Sequence, residues 1–200
     1  MRLAIVTMAL FSMAFSIYGA ALPEIVPQPQ EMAWTSGEAA WLETGTLQGV
    51  RMDEAVSAAQ AAIDRLGKKL GTPLVSSADG KLRLELGPLE DAIPGRTRAE
   101  AYRLVLDASG AIIRAETAHG VHQGLITLAA LVSPDGRIPC VTVTDWPDQE
   151  LRGAYAGSMR EAEERFDQFV MLKLNMLLVE DGLLFDLDIE ATLSRVQRLA

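Results

Sequence analysis

The stretch that decides the fold is YRLVLDASGAIIRAETAHGVHQGLITLAALVSPDGRIPCVTVTDWPDQELRGAYAGSMREAEERFDQFVMLKLNMLLVED, residues 102–181. Its opening alternates. Tyr102, Leu104 and Leu106 interleave with Arg103 and Asp107, the period of a half-buried strand. Ser109-Gly110 turns the chain into Ala111–Glu116, completing a hairpin. The period then changes. Val121, Leu125, Leu128 and Val132 recur at spacings of three and four, one face of a helix that opens at His119-Gly120. Ser133–Gly136 is a turn. Ile138, Val141 and Val143 predict one further strand, closed by Asp145-Trp146-Pro147. Beyond it come a strand (Glu150–Ala156) and a helix (Glu161–Lys173) with Ala162, Phe166, Phe169 and Val170 on one face. Leu174–Val179 is an apolar run of the kind expected of a strand buried on both sides. Asp188–Ala200 predicts a second helix with Asp188 as N-cap. Strand–helix–strand–helix opens a parallel α/β fold, and a (β/α)8 barrel fits it best.

Upstream, Pro27-Gln28-Pro29 is an extended leading segment. Short strands are expected at Glu31–Trp34 and Ala40–Glu43, with Ser36-Gly37 turning between them. Val56, Ala59, Ile63, Leu66 and Leu70 form one apolar stripe, so a helix is predicted over Met52–Leu70, ended by Gly71 and Thr72-Pro73. Leu82, Leu84 and Leu86 alternate with Arg83 and Glu85 as another strand, and Glu90–Arg98 reads as a polar loop. The expected fold class is therefore α+β: a mostly antiparallel sheet with two packed helices, followed by the first two βα units of a (β/α)8 barrel. The expected organisation is a leader over 1–21, an α+β domain over 22–147, and the start of a barrel over 148–200.

The leader is read from Arg2 followed by the uncharged stretch Leu3–Gly19, with Gly19 and Ala21 at the −3 and −1 positions of a cleavage site. Export to the periplasm or outside the cell follows as an expectation, with no transmembrane helix left after cleavage. The 200 residues carry 18 Lys and Arg against 27 Asp and Glu, a net charge of −9. This argues against nucleic acid as a partner, since phosphate binding needs a basic footprint. Cys140 is the only cysteine, so no intrachain disulfide is available. Its neighbours Ile138, Val141 and Val143 mark it as a core residue.

Taken in order, these segments resemble the bacterial β-N-acetylhexosaminidases, the family 20 glycoside hydrolases. The resemblance runs through Pro27-Gln28-Pro29, Tyr102-Arg103-Leu104 with the Gly110 turn, and Thr117-Ala118-His119-Gly120 with Gly124 and Thr127-Leu128. It continues through Ile138-Pro139, Asp145-Trp146-Pro147, Arg152-Gly153 and Lys173-Leu174-Asn175. It implies hydrolysis of terminal N-acetylhexosamine with the substrate's own acetamido group as nucleophile, outside the usual two-carboxylate scheme. The family's Asp-Glu pair on the fourth barrel strand would lie beyond this chain, so no catalytic residue is expected here. The partner it implies is a carbohydrate containing N-acetylhexosamine. Arg152 matches the family's substrate-binding arginine, expected in the C-terminal half of the first barrel strand, near the face where such barrels bind ligands. Ala154-Tyr155-Ala156-Gly157 after Arg-Gly, and Met176–Asp181 after Asn175, depart from the family pattern. A related acetamido-glycosidase family of the O-GlcNAcase kind therefore stays open. A non-catalytic glycan-binding or structural accessory domain is the alternative function.

Other groups read as structural. Glu180-Asp181 is an acidic pair at a strand end, by default a polar strand end or loop. His119 and His122 are three apart, a spacing that can align two ligands on a helix, but no HExxH or carboxylate cluster accompanies them. They read as a helix start and a surface residue. No metal and no cofactor is expected. Trp34, Trp41 and Trp146 are scattered in sequence and offer no evident sugar platform.

Overall fold

A computed structural model describes residues 22–35, 40–52, 59–89, 93–180 and 184–186. The predicted leader, the Ser36-Gly37 turn, Val56, Asp181 and the helix expected over Asp188–Ala200 lie outside them.

The strands are β1 (Glu31–Trp34), β2 (Trp41–Glu43), β3 (Gly49–Met52), β4 (Val75–Ser76), β5 (Leu82–Leu86), β6 (Tyr102–Asp107), β7 (Gly110–Ala115), β8 (Arg137–Pro139), β9 (Val141–Asp145), β10 (Gly153–Ala156), β11 (Met176–Val179) and β12 (Leu184–Asp186). The helices are α1 (Gln60–Leu70), α2 (Ala118–Leu131) and α3 (Met159–Met171). Seven strands form one sheet in the order β1-β9-β6-β7-β5-β3-β4. The β1, β9, β6 and β7 pairings are antiparallel, while β7–β5, β5–β3 and β3–β4 are parallel. The sheet is therefore mixed rather than mostly antiparallel. Crossover through α1 lets β3 run parallel to β4 and β5, while β5 and β7 run parallel with β6 between them in sequence.

Two expected elements are redrawn. Met52 ends strand β3, and the helix begins at Gln60 rather than Met52. Gly71 closes that helix in the left-handed conformation, φ 72°, donating to Lys68 O, a geometry that glycine adopts without a Cβ penalty. The strand expected through Ile138, Val141 and Val143 is two strands in different sheets. β8 pairs with β2, and β9 pairs with β1 and β6. Between them Cys140 donates its N–H to Ala40 O (2.8 Å) and accepts from Thr35 N (2.9 Å), so its backbone stitches both sheets. Its thiol is buried in the core, as expected, and burial raises its pKa.

One face of the large sheet, carrying Leu84, Ile113, Leu104 and Val143, is covered by the helices. α2 can approach this closely because Gly120 and Gly124 lack side chains. A Cβ at Gly120 would sit 2.3 Å from Ala101 O, and one at Gly124 would sit 2.6 Å from Ile113 Cγ2. Thr117 caps α2 by accepting from Gly120 N at 3.2 Å.

β10, α3 and β11 form a parallel βαβ unit, with β12 antiparallel on β11. Ser158 caps α3, and Glu161 reaches back to Gly157 N at 2.8 Å, a variant of the capping box. Ala162, Phe166, Phe169 and Val170 are buried, as their spacing predicts, together with Ile126 of α2. α2 is therefore sandwiched between the large sheet and α3. β11 is not buried on both sides: Leu177 and Val179 face α3, while Leu178 is 43% exposed beside its register partner Tyr155, 56% exposed.

Candidate functional site

The end of β9, the start of β6, the middle of α2 and the second residue after α3 meet at the junction of the large-sheet body and the βαβ unit. Lys173 lies just past α3 with φ 55°. This left-handed backbone turns its side chain back toward the sheet. Its Nζ donates to Asp145 Oδ2 (2.6 Å) and to the Tyr102 hydroxyl (2.9 Å). Tyr102 donates to Asp145 Oδ2 at 3.0 Å. A phenol has one proton to give, so Thr127 is the donor in its 2.5 Å contact with Tyr102. Asp145 Oδ1 accepts from Gln30 N at 3.2 Å. Burial pushes the Tyr102 phenol well above its usual pKa, with the Asp145 charge adding to it. Burial also lowers the Lys173 ammonium, opposed by the adjacent Asp145 carboxylate.

Beside this cluster, Arg152 binds the Glu100 carboxylate through both terminal nitrogens, Lys173 O through Nε (2.9 Å) and Gln149 O (2.7 Å). Asn175 accepts from Arg152 N (2.9 Å) and donates to Glu150 O (2.7 Å). Lys173-Leu174-Asn175 thus acts as a clasp. Lys173 grips the large-sheet body, Leu174 packs with the α3 cluster, and Asn175 holds the connecting segment. A cavity of about 250 Å³ opens here, bordered by Gln30, Tyr102, Gln123, Asp145, Arg152 and Lys173 among others. Its two cations pair with Glu100 and Asp145, and Asp148 accepts from Gln30 Nε2 at 2.7 Å, so the arrangement positions two structural units.

Arg152 immediately precedes β10, at the N-terminal end of that strand rather than in its C-terminal half, and most of its N–H donors are engaged by protein acceptors. Glu180 is exposed at the C-terminal end of β11. His122 is not a surface residue: it is 2% exposed, because α3 covers that side of α2. Its Nδ1 has no partner among the described residues, and burial lowers its pKa to about 3. His119 is half-buried. Among the described residues no group of three His, Cys, Asp or Glu side chains could hold a metal ion. Among them, too, no helix is long and apolar enough to cross a membrane. Trp34 and Trp41, distant in pattern, meet edge to face with centroids 6.2 Å apart. The sequence reading missed Lys173, Asp145, Tyr102, Glu100 and Thr127 as one cluster. The available signals were a lysine inside an apolar run and a tyrosine at an inward-facing strand position.

The residues that build this junction fall in or just beyond the segment matched by a known family. The profile of glycosyl hydrolase family 20, domain 2, matches residues 22–146. The chain belongs to glycosyl hydrolase family 20. Solved structures of the family share the fold. The exo-β-N-acetylglucosaminidase of Vibrio harveyi, solved in complex with N-acetylglucosamine, superposes with a TM-score of 0.63 at 20% identity, covering 78% of this chain and 25% of its own. The N-acetyl-β-hexosaminidase of Streptomyces plicatus, solved in complex with Thio-NAglucal, gives 0.62 at 21% identity, covering 78% and 34%. The β-N-acetylhexosaminidase of Streptomyces coelicolor A3(2) gives 0.61 at 24% identity, with the same coverage. The chain therefore spans a quarter to a third of the length of these relatives. A search of curated proteins returns no match.

Proposed function

We propose that this family 20 chain is the accessory domain and barrel entrance of an exported β-N-acetylhexosaminidase. In this reading β10–α3–β11 begins a (β/α)8 barrel, the large-sheet body buttresses it, and the chain as it stands performs no hydrolysis. The observation that carries the proposal is the junction. The buried Lys173–Asp145–Tyr102 cluster and the Arg152–Glu100 pair lock the first parallel strands onto the family's domain 2. The chemistry would follow the substrate-assisted route, with the acetamido group as nucleophile and an Asp-Glu pair at the end of the fourth barrel strand. The sugar-holding role of Arg152 is part of the proposal: its guanidinium borders the cavity, where a sugar hydroxyl could meet it.

The test is hydrolysis of a chromogenic N-acetylglucosaminide. The purified 200-residue chain is expected to release no chromophore. The same chain extended with the coding sequence that follows Ala200 is expected to be active. Continued inactivity of the folded, extended protein overturns the proposal.

A further inference from the structure

The lining of the junction cavity holds groups that the seam leaves unused. Its volume of about 250 Å³ falls just below drug-sized sites, about 300–1,000 Å³, and suits one ring with its substituents. Pro27, Pro147 and Trp146 give it apolar walls, and Trp146 is packed against Leu89, Ile93 and Ala101. Its charges are committed. Lys173 pairs with Asp145, Arg152 pairs with Glu100, and Asp148 accepts from Gln30 Nε2 at 2.7 Å. No spare cation is left to hold an anion, and the described residues form no group that could hold a metal ion. The uncharged hydrogen-bonding groups are less occupied. The side-chain amides of Gln28 and Gln149 are exposed and make no hydrogen bond among the described residues. The buried Gln123 amide donates from Nε2 to Glu100 at 3.2 Å, while its Oε1 has no partner among the described residues. Lys173 commits two N–H groups to Asp145 and Tyr102. Its third has no protein acceptor, with the Tyr102 ring centroid 4.9 Å from Nζ. The four hydrogen bonds of the Arg152 guanidinium leave one N–H.

We infer that this cavity binds one N-acetylhexosamine unit by its acetamido group, through Gln123 and Lys173, with the sugar ring against Trp146. At the buried end the vacant groups are one acceptor and one donor, the complement of an amide. The acetamido N–H suits Gln123 Oε1, and its carbonyl suits the remaining Lys173 N–H. Oε1 is closed off from water, so this contact requires the Gln123 amide to turn toward the ligand. Leaving a buried acceptor unpaired is unfavourable, which favours that turn. At the rim, the C–H face of a pyranose packs on the indole, whose large rigid surface suits such a contact. The ring hydroxyls meet the Gln28 and Gln149 amides and the last Arg152 N–H. Gln123 and Trp146 belong to the large-sheet body, while Arg152 and Lys173 lead into β10 and β11. A bound sugar therefore bridges the two units and tightens their seam. The exposed apolar residues Val26 and Leu151 adjoin lining residues in sequence but do not border the cavity. The neutral polar site stands on this geometry alone; the choice of an acetamido sugar over a peptide amide rests on the proposed glycosidase reading.

The experiment is a titration of the 200-residue chain with N-acetylglucosamine, followed through its indole and side-chain amide signals by nuclear magnetic resonance. Glucose, which lacks the acetamide, and N-acetylglycinamide, which lacks the sugar, are the comparisons. N-Acetylglucosamine is expected to bind saturably, and both comparisons at least tenfold more weakly. Amide hydrogen exchange at β10 and β11 is expected to slow in the bound chain. Gln123→Met and Trp146→Ala are each expected to weaken binding at least fivefold. Tyr155→Ala removes an exposed ring from the uncovered face of β10 and is expected to change binding less than twofold. The ligand comparison uses the parent chain, so it decides even where a variant fails to fold. No saturable binding, glucose or the peptide amide binding as tightly, unchanged exchange at the seam, full affinity in both cavity variants, or an equal loss in Tyr155→Ala would each overturn the inference. Binding is read without hydrolysis, so an inactive extended chain would sink the glycosidase reading and leave this result standing.

Discussion

Lys173 Nζ lies 2.6 Å from Asp145 Oδ2, with both side chains about nine-tenths buried, and this contact joins the second residue after α3 to the last residue of β9. Removing one partner of a buried pair strands the other charge, which costs about 3–5 kcal/mol. Lys173→Met is therefore expected to lose stability on that scale, read by urea unfolding of the 200-residue chain. Lys173→Met combined with Asp145→Asn removes both charges and is expected to lose less than Lys173→Met alone. A double variant no better than the single one would show that the ammonium acts through packing and not through the Asp145 charge.

His122 makes stability depend on pH over a window that can be named. Burial, with smaller contributions from Arg65 and His119, lowers its pKa to about 3, against 6.5 for the free side chain. Between those values the unfolded chain holds a proton that the folded chain refuses. The His122 contribution is therefore complete above about pH 6.5 and declines as pH falls toward 3, by at most about 1.4 kcal/mol per pH unit. The carboxyls of Asp107, Glu116, Asp135 and Glu161 are held below their ordinary values, so their losses begin only below about pH 4.5. Unfolding free energies measured from pH 6.5 to 4.5 are expected to fall in the parent chain. They are expected to stay nearly flat in His122→Leu.

The hairpin β6–β7, the buried faces of α2 and α3 and the strand β5 were legible because each rests on a local period. Met52 was misassigned because the short alternation Val50–Met52 runs straight into the α1 stripe, and local pattern does not mark where one period yields to the other. His122 was read as exposed because the helix that covers it begins at Met159, far along the chain. The junction was harder still. Tyr102, Asp145 and Lys173 each look ordinary in their own segments, and only the superposition of β6, β9 and the end of α3 makes them one cluster. Arg152 was flagged by resemblance, but its position before β10 and its hold on Glu100 depend on tertiary geometry that no spacing encodes.

Gly120 and Gly124 separate two kinds of close approach. An added Cβ at Gly120 would meet the Ala101 carbonyl at 2.3 Å and the Ala115 Cβ at 2.7 Å, both fixed by the backbone. At Gly124 the added Cβ would meet only side-chain atoms, Ile113 Cγ2 at 2.6 Å and the Tyr102 ring at 3.1 Å, and no backbone carbonyl. Alanine also gains about 1 kcal/mol of helix propensity over glycine. Gly120→Ala is expected to lose about 1–3 kcal/mol through overpacking, and Gly124→Ala clearly less. Thermal melting of the two variants compares them, and equal losses would mean that α2 moves as a rigid body away from the sheet.

Arg152 tests whether the two units are coupled through the junction. Its guanidinium satisfies Glu100 on the large-sheet side and Lys173 O on the other, so its loss leaves the Glu100 carboxylate with only the neutral Gln123 amide and the Lys173 carbonyl without its donor at a buried seam. Lysine keeps the charge but cannot supply the fork of parallel donors. Both Arg152→Ala and Arg152→Lys are therefore expected to raise amide hydrogen exchange at β10 and β11, the alanine variant more. Exchange in β6, β7 and α2 is expected to stay slow, because the Leu104, Ile113 and Leu125 core does not depend on the junction. Faster exchange throughout the large sheet would mean that the βαβ unit holds the sheet together. Unchanged exchange at β10 and β11 would mean that the Lys173–Asp145 pair suffices to hold the seam without Arg152.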